Sequence, residues 1–423
     1  MPERVLIERL GARADGIAHV DGRTVYVPYV LPGETVLVEG EGSRASLVAV
    51  ETPSPDRIES FCPYFGRCGG CLTQHVAEPT YAAWKRGLVV QALAQASLDA
   101  PVDPLVDAHG AGRRRITLHA RFADGQAHVG YMAVRSHDLV KIAFCPIAEP
   151  GLKEAPKAAL ALAERLRGTP KPLDIQVTAT DTGLDVDLRG HGPMKDRERQ
   201  ALVEAAGAHD LARLSLHGEV VVERRAPIVR MGAAQVLAPP GGFLQATRAG
   251  EETLAALVTE ACAGAKRVAD LFSGCGPFAL RLAERAEVLA ADGDARSLAA
   301  LDRAARGTPP SLRPVTTETR DLFRRPLLVP ELDRFDAVVI DPPRAGAEAQ
   351  ARQLALSKVP AVASVSCDPG TFVRDAAILA AGGYRLKRVV PVDQFKYSPH
   401  LEIVGVFVKP PARPARRPAR PRP

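Results

Sequence analysis

Four apolar, β-branched runs in the second half of this 423-residue chain each stop at a polar residue, which narrows the folds open to it. They are Val268-Ala-Asp-Leu-Phe, Val288-Leu-Ala-Ala-Asp292, Phe335-Asp-Ala-Val-Val-Ile-Asp341 and Ala361-Val-Ala-Ser-Val-Ser366, separated by Ala-rich helical stretches. Continuously apolar strands need cover on both faces, so strand–helix alternation of this kind predicts a parallel, doubly wound α/β sheet. Such a sheet gathers its chemistry at the carboxyl ends of its strands. Those ends carry Asp270-Leu-Phe-Ser-Gly274-Cys-Gly276, Asp292, Asp341-Pro-Pro-Arg344 and Cys367.

The rest of the chain reads differently. Residues 1–52 hold five short β-type runs separated by turn signals, which predicts a small closed barrel because closure removes sheet edges. Its Asp15-Gly16-Ile-Ala-His and Pro28-x-x-Leu31-Pro-Gly-Glu34 segments resemble a TRAM domain, an RNA-binding barrel. Thr52-Pro-Ser-Pro-Asp-Arg is a linker by composition. Residues 58–228 mix β-type runs with a helix from Glu78 to Ser97 and Ala-rich helices at 151–168 and 196–207, which predicts a central α+β module. Its Arg113-Arg114-Arg115 is a candidate phosphate contact or a solvated strand edge. Residues 230–409 form the Rossmann-like domain, and 410–423 a disordered or polyproline-like Pro/Arg tail. The expected whole is a multidomain α/β chain.

Charge and composition set limits. The formal charge is +6, but five arginines in the tail leave a body of +1, so any nucleic-acid footprint is a local patch. A hydrophobic content of 46% and charged content of 25% are those of a soluble globular enzyme. No uninterrupted apolar run reaches membrane-spanning length, and the start lacks a signal peptide's apolar core, so a cytoplasmic protein without membrane contact is expected.

Seven cysteines in such a compartment argue against disulfides. Cys62-x5-Cys68-x2-Cys71, with the later Cys145-Pro146, is the spacing of thiols that converge on a bound group. A closing Cys-Pro is seen in iron–sulfur segments. Zinc is the alternative, since four thiolates suit it also. Cys262 and Cys275 lack such partners and read as packing residues.

The glycine turn at Asp270–Gly276 lets backbone approach a ligand. Asp292, sixteen residues after Gly276, is placed to hold a ribose diol. The turn is not Gly-x-Gly-x-x-Gly, and Asp341-Pro-Pro-Arg344 ends the next-but-one strand, which favours S-adenosylmethionine over a dinucleotide. Asp321, in Arg320-Asp321-Leu-Phe, falls where the adenine would lie. With these residues, Cys367 in Ser-Val-Ser-Cys367-Asp-Pro and Glu402 in Ser398-Pro-His-Leu-Glu402, the chain resembles the RNA uracil-5-methyltransferase family, and its 23S rRNA branch in particular.

The resemblance implies cofactor contacts from Gln245 (in Gly242-Phe243-Leu-Gln245), Phe272, Asp292, Asp321 and Asp341. It implies a nucleophile in Cys367, a base in Glu402, and a 4Fe-4S cluster on Cys62, Cys68, Cys71 and Cys145. The chemistry requires both catalytic groups. Carbon 5 of uracil is a poor nucleophile until a thiolate adds to carbon 6, and a base must then take the carbon 5 proton. Three positions depart from the family pattern: Thr247 and Pro277 where Asn is common, and Asp292 where Glu is usual. The expected enzyme is a monomer methylating a uridine of 23S rRNA. A tRNA uridine, an amino-group methyltransferase using Asp-Pro-Pro, and a non-catalytic iron–sulfur RNA-binding protein are the alternatives.

Overall fold

The computed structural model describes residues 2–40, 42–167, 171–308 and 312–410, so all of the Arg/Pro tail after Pro410 lies outside the described residues. The first 52 residues form six strands in two three-stranded sheets around Val5, Ile7, Val25, Val27 and Val36. The expected first strand over 5–10 divides into Glu3–Leu6 and Arg9–Leu10. The division has a local cause. Ile7 is fully buried, its N–H donates to the Glu34 carbonyl (2.9 Å), and its carbonyl accepts from Gly33 (2.7 Å), so the chain turns there from one sheet to the other. Gly16 fits that corner because a Cβ would lie 2.2 Å from a Val30 methyl.

A seven-stranded, mainly antiparallel sheet follows, ordered 139–141, 126–132, 115–123, 173–180, 183–189, 213–216, 219–223. Helices Ala155–Arg165 and Asp196–Ala208 cover it through Leu162, Leu202 and Ala206 against Leu118, Ile175 and Val186. The expected helix over 151–168 is shortened to a 3-10 turn, Pro150–Leu152, and Ala155–Arg165.

The eight-stranded sheet is ordered 315–319, 287–292, 267–271, 337–340, 361–366, 402–408, 385–393, 106–107. The five strands from 315–319 to 361–366 pair in parallel, and Glu402–Val408 then inserts antiparallel to Ala361–Ser366. Val106–Asp107 joins its far edge, bringing chain from the middle of the sequence onto this sheet.

Helix Glu78–Gln95, with Pro79 in its first turn, packs on the same sheet through Tyr81, Lys85, Val89 and Leu93, spaced four apart on one face. Lys85 is fully buried, which costs several kcal/mol for an unpaired ammonium. Here all three N–H donors are occupied, by Asp393 Oδ1 and by the carbonyls of Phe395 (3.3 Å) and His400 (2.7 Å). Tyr81 donates to Asp393 Oδ2 (2.7 Å) and accepts from the Tyr397 N–H (2.9 Å). These bonds fix the loop 394–400 that leads into Glu402. Among the described residues no helix is long and apolar enough to cross a membrane.

Candidate active site and cysteine-lined cavity

Strand register brings the reactive residues together. Ser366, the last residue of its strand, pairs with Ile403, so Cys367 and Glu402 each lie next to this final pair, and the Glu402 charge acts on the Cys367 thiol. Asp341 follows the neighbouring parallel strand, whose last residue Ile340 pairs with Ser364, and its N–H donates to the Leu271 carbonyl (3.2 Å). Gln245 reaches it from a separate loop and donates to Asp341 Oδ2 (3.1 Å).

The electrostatics follow from burial. Glu402 is 4% exposed; burial and then the Asp341 carboxylate push its carboxyl up, against a hydrogen bond from Gln394 and the charge of Arg344. Burial likewise raises Asp341, opposed by the Gln245 hydrogen bond and reinforced by Asp292. Cys367 is pushed up to about 11 by burial, Glu402 and Asp341, with Arg344 opposing. The resting pocket therefore holds a thiol, and Arg344 is the cation that favours its ionised form. Arg344 Nη2 lies 3.3 Å from the His400 ring. Burial and Arg344 push His400 down to about 4, so at neutral pH it is an uncharged neighbour.

At the glycine turn, Asp292 accepts from the Gly274 N–H (2.8 Å) and the Asp294 N–H (2.7 Å), which fixes its carboxylate beside the turn. Phe272 holds a left-handed backbone (φ 62°), and its ring packs on Phe323 (centroids 5.3 Å apart). Asp321 caps the Phe323 and Arg324 N–H groups (3.1 and 3.3 Å). Asp270 is fully buried, and burial, with repulsion from Asp341 and Asp292, raises it well above the usual carboxylate range. Asp292 and Asp341, at the ends of nearby strands, repel one another, and a cationic ligand such as a sulfonium with its ammonium group would relieve that repulsion.

Two departures acquire structural roles. Thr247 caps helix Arg248–Ala261, accepting from the Gly250 N–H (2.8 Å) and donating to the Ala108 carbonyl (2.6 Å). Pro277 lies in the turn ahead of the short helix Ala279–Leu282.

The four clustered cysteines line one cavity of about 360 Å³, together with Tyr131 and Phe395. Burial pushes Cys71 up to about 12, with repulsion from Cys145, Cys68 and Cys62 adding to it and a Gln74 hydrogen bond opposing. Among the described residues no three His, Cys, Asp or Glu side chains form a group that could hold a metal ion. The cavity is remote from Cys367 in sequence but not in space, because the Leu72 N–H donates to the Tyr397 carbonyl (2.7 Å) in the loop leading to Glu402. Cys262 and Cys275 are buried in apolar clusters, as packing residues.

The arginine triplet is neither of the things its sequence suggested as a unit. Arg114 is 1% exposed, pairs with Glu251 and donates to the Gln245 carbonyl (2.9 Å), so it has no access to phosphate. Arg113 and Arg115 stack on Phe395 and Phe243 (5.6 and 5.2 Å to the centroids). Sequence reasoning also missed Lys85, Tyr81, Asp393 and Gln394. The signal available was the polar pair Asp393-Gln394 ending the apolar run Val389-Val-Pro-Val.

Comparison with known proteins gives the following. The model of the tRNA (uracil-5-)-methyltransferase family matches residues 312–410, and that of the TRAM domain residues 3–45. An uncharacterized RNA methyltransferase of Rhizobium meliloti is 44% identical over 412 residues, covering 96% of this chain and 99% of that protein. The 23S rRNA (uracil(1939)-C(5))-methyltransferase RlmD of Shewanella piezotolerans is 31% identical over 422 residues, covering 95% and 94%. The crystal structure of Pyrococcus abyssi tRNA (uracil-54, C5)-methyltransferase with S-adenosyl-L-homocysteine shares the fold, at TM-score 0.72 and 22% identity over 96% of this chain and 100% of that one.

Proposed function

Because the chain belongs to the RNA uracil-5-methyltransferase family, we propose that it methylates carbon 5 of a 23S rRNA uridine through a covalent adduct on Cys367. The observation that supports this reading is that Cys367 and Glu402 lie next to the last ladder pair, Ser366–Ile403, with the Asp341 charge acting on both. S-adenosylmethionine, when bound, supplies an electrophilic methyl group. Gln245, Phe272, Asp292, Asp321 and Asp341 are the residues that would hold it.

The protein's own residues do the rest. Cys367 gives its proton to solvent and attacks carbon 6 as thiolate, helped by Arg344. The electron pair displaced toward carbon 5 makes that atom nucleophilic, and it takes the methyl group. Glu402 then removes the carbon 5 proton, the carbon 5–carbon 6 double bond re-forms, and the Cys367 sulfur leaves. The burial that raises Glu402 suits it to accept a proton near neutral pH.

The RNA assignment rests on the RlmD relative, which spans nearly the whole chain. A tRNA uridine is the second reading, favoured by the family model over 312–410 and the fold of the Pyrococcus abyssi enzyme. Incubation with methyl-labelled S-adenosylmethionine and either 23S rRNA or tRNA, followed by mapping of 5-methyluridine, separates the two. Label confined to 23S rRNA is expected. Label confined to tRNA overturns the assignment, and label in neither favours a non-catalytic RNA-binding protein. The enzyme is read as a cytoplasmic monomer.

The proposal extends to a 4Fe-4S cluster on Cys62, Cys68, Cys71 and Cys145, supported by their common cavity and mutual repulsion. Anaerobically purified protein should carry about four iron and four sulfide per chain and lose both in Cys71→Ala. One zinc per chain, with no iron, would establish the alternative.

A further inference from the structure

We propose that Gln394 is a positioning residue for the base: its side-chain amide ties Glu402 to Gln245 and holds Glu402 in its proton-accepting form. This deepens the function proposed above and rests on Glu402 being the base.

Gln394 is fully buried, and every polar valence of its amide is used. Oε1 accepts from the Ala246 N–H (2.8 Å) and the Thr247 N–H (3.4 Å). Those two backbone donors fix which end of the amide is oxygen, since a flipped amide would face them with its own N–H groups. Nε2 is left to donate in the other direction, to Gln245 Oε1 (2.7 Å) and Glu402 Oε1 (3.1 Å). Gln245 passes the chain on to Asp341 (3.1 Å). A buried row thus runs Glu402–Gln394–Gln245–Asp341, from the base to a residue assigned to the cofactor.

Two further observations show that the site is built for this side chain. Gly250 lies in the first turn of helix Arg248–Ala261. A Cβ there would come 2.6 Å from Gln394 Oε1 and 2.7 Å from Gln394 Cβ, so the helix leaves room for the amide. The preceding residue, Asp393, is clamped by Lys85 and Tyr81, which fixes the point from which Gln394 projects.

The energetic consequence has a sign. The charged and titratable groups facing Glu402 are Asp341, Arg344 and Cys367. Burial and Asp341 favour its protonated form; the Gln394 N–H and Arg344 favour the carboxylate. Removing the amide donor leaves Arg344 alone against the first two, so Glu402 stays protonated to higher pH and proton removal from the adduct slows.

Gln394→Met, similar in shape without the amide, and Gln394→Glu, which keeps an acceptor for the Ala246 N–H, test this. The measurements are 5-methyluridine release against pH and the amount of uridine RNA covalently held by the protein. In both variants the rising limb of release should move up by about one pH unit, a tenfold loss on its lower side. Covalent RNA should accumulate there, while capture of 5-fluorouridine RNA at saturating S-adenosylmethionine, which needs no proton removal, falls by much less than release does. A folded Gln394→Met enzyme with an unshifted limb and no accumulated adduct overturns the role of Gln394; if that variant does not fold, the same result with Gln394→Glu does so. Glu402→Gln is the control. Normal turnover in it would reject Glu402 as the base, whereas a stall in it beside normal Gln394 variants rejects only this proposal.

Discussion

Cys367→Ala is expected to abolish methylation of uridine RNA, with a loss on the order of 10⁴ or more, because no other group in the pocket can add to carbon 6. The described thiols other than Cys367 are the four around the separate cavity and the two buried in apolar packing. The same variant should capture no 5-fluorouridine RNA on a denaturing gel. It should still bind S-adenosylmethionine with wild-type affinity, since Cys367 belongs to none of the residues assigned to the cofactor. Retained methylation would point instead to direct transfer onto an exocyclic nitrogen, the chemistry that Asp341-Pro-Pro also suits. Calorimetric titration of the cofactor beside the gel assay separates loss of the nucleophile from loss of the fold.

Glu402→Gln should give a different phenotype. The attack and the methyl transfer need no base, so the variant should proceed to the methylated adduct and stop there. Covalent RNA accumulates with ordinary uridine, and turnover falls by about 10²–10⁴, the range for a general base. In the wild-type enzyme Glu402 is pushed up to about 8 by burial and Asp341. A raised carboxyl is protonated below that value and ionised above it, so release of product should rise with pH through about 8. Glu402→Gln should flatten that limb. A variant whose pH profile keeps the wild-type limb would assign the titration to another group.

Legibility in the sequence followed the range of the interaction. The doubly wound sheet was visible because each of its central strands is a continuous apolar run, and Asp292, Asp341 and Cys367 could be placed at strand ends for the same reason. Helix limits were less so. Pro277 and Gly276 mark a turn, but only packing decided that four residues, Ala279–Leu282, become helical. The arginine triplet looked like one surface feature, yet Arg114 turns inward to Glu251 and the Gln245 carbonyl while its neighbours stack on aromatic rings. Arg113 and Arg114 precede the strand that starts at Arg115, so no strand period assigned their directions in advance.

By itself the sequence determined the chemistry available: a thiol and a carboxylate near strand ends, a glycine turn, and four cysteines spaced to converge. These follow from residue type and short spacing, which a linear reading can use. Only the tertiary structure decided how those groups meet. The antiparallel insertion of Glu402–Val408 beside Ala361–Ser366 brings Glu402 to the end of the sheet where Cys367 follows. Lys85 and Tyr81, some 300 residues away, fix the loop that carries Gln394. Leu72 joins the cysteine cavity to that loop. Pairings at such separations depend on which chain segments share a buried space, and buried polar groups must find partners wherever the fold supplies them.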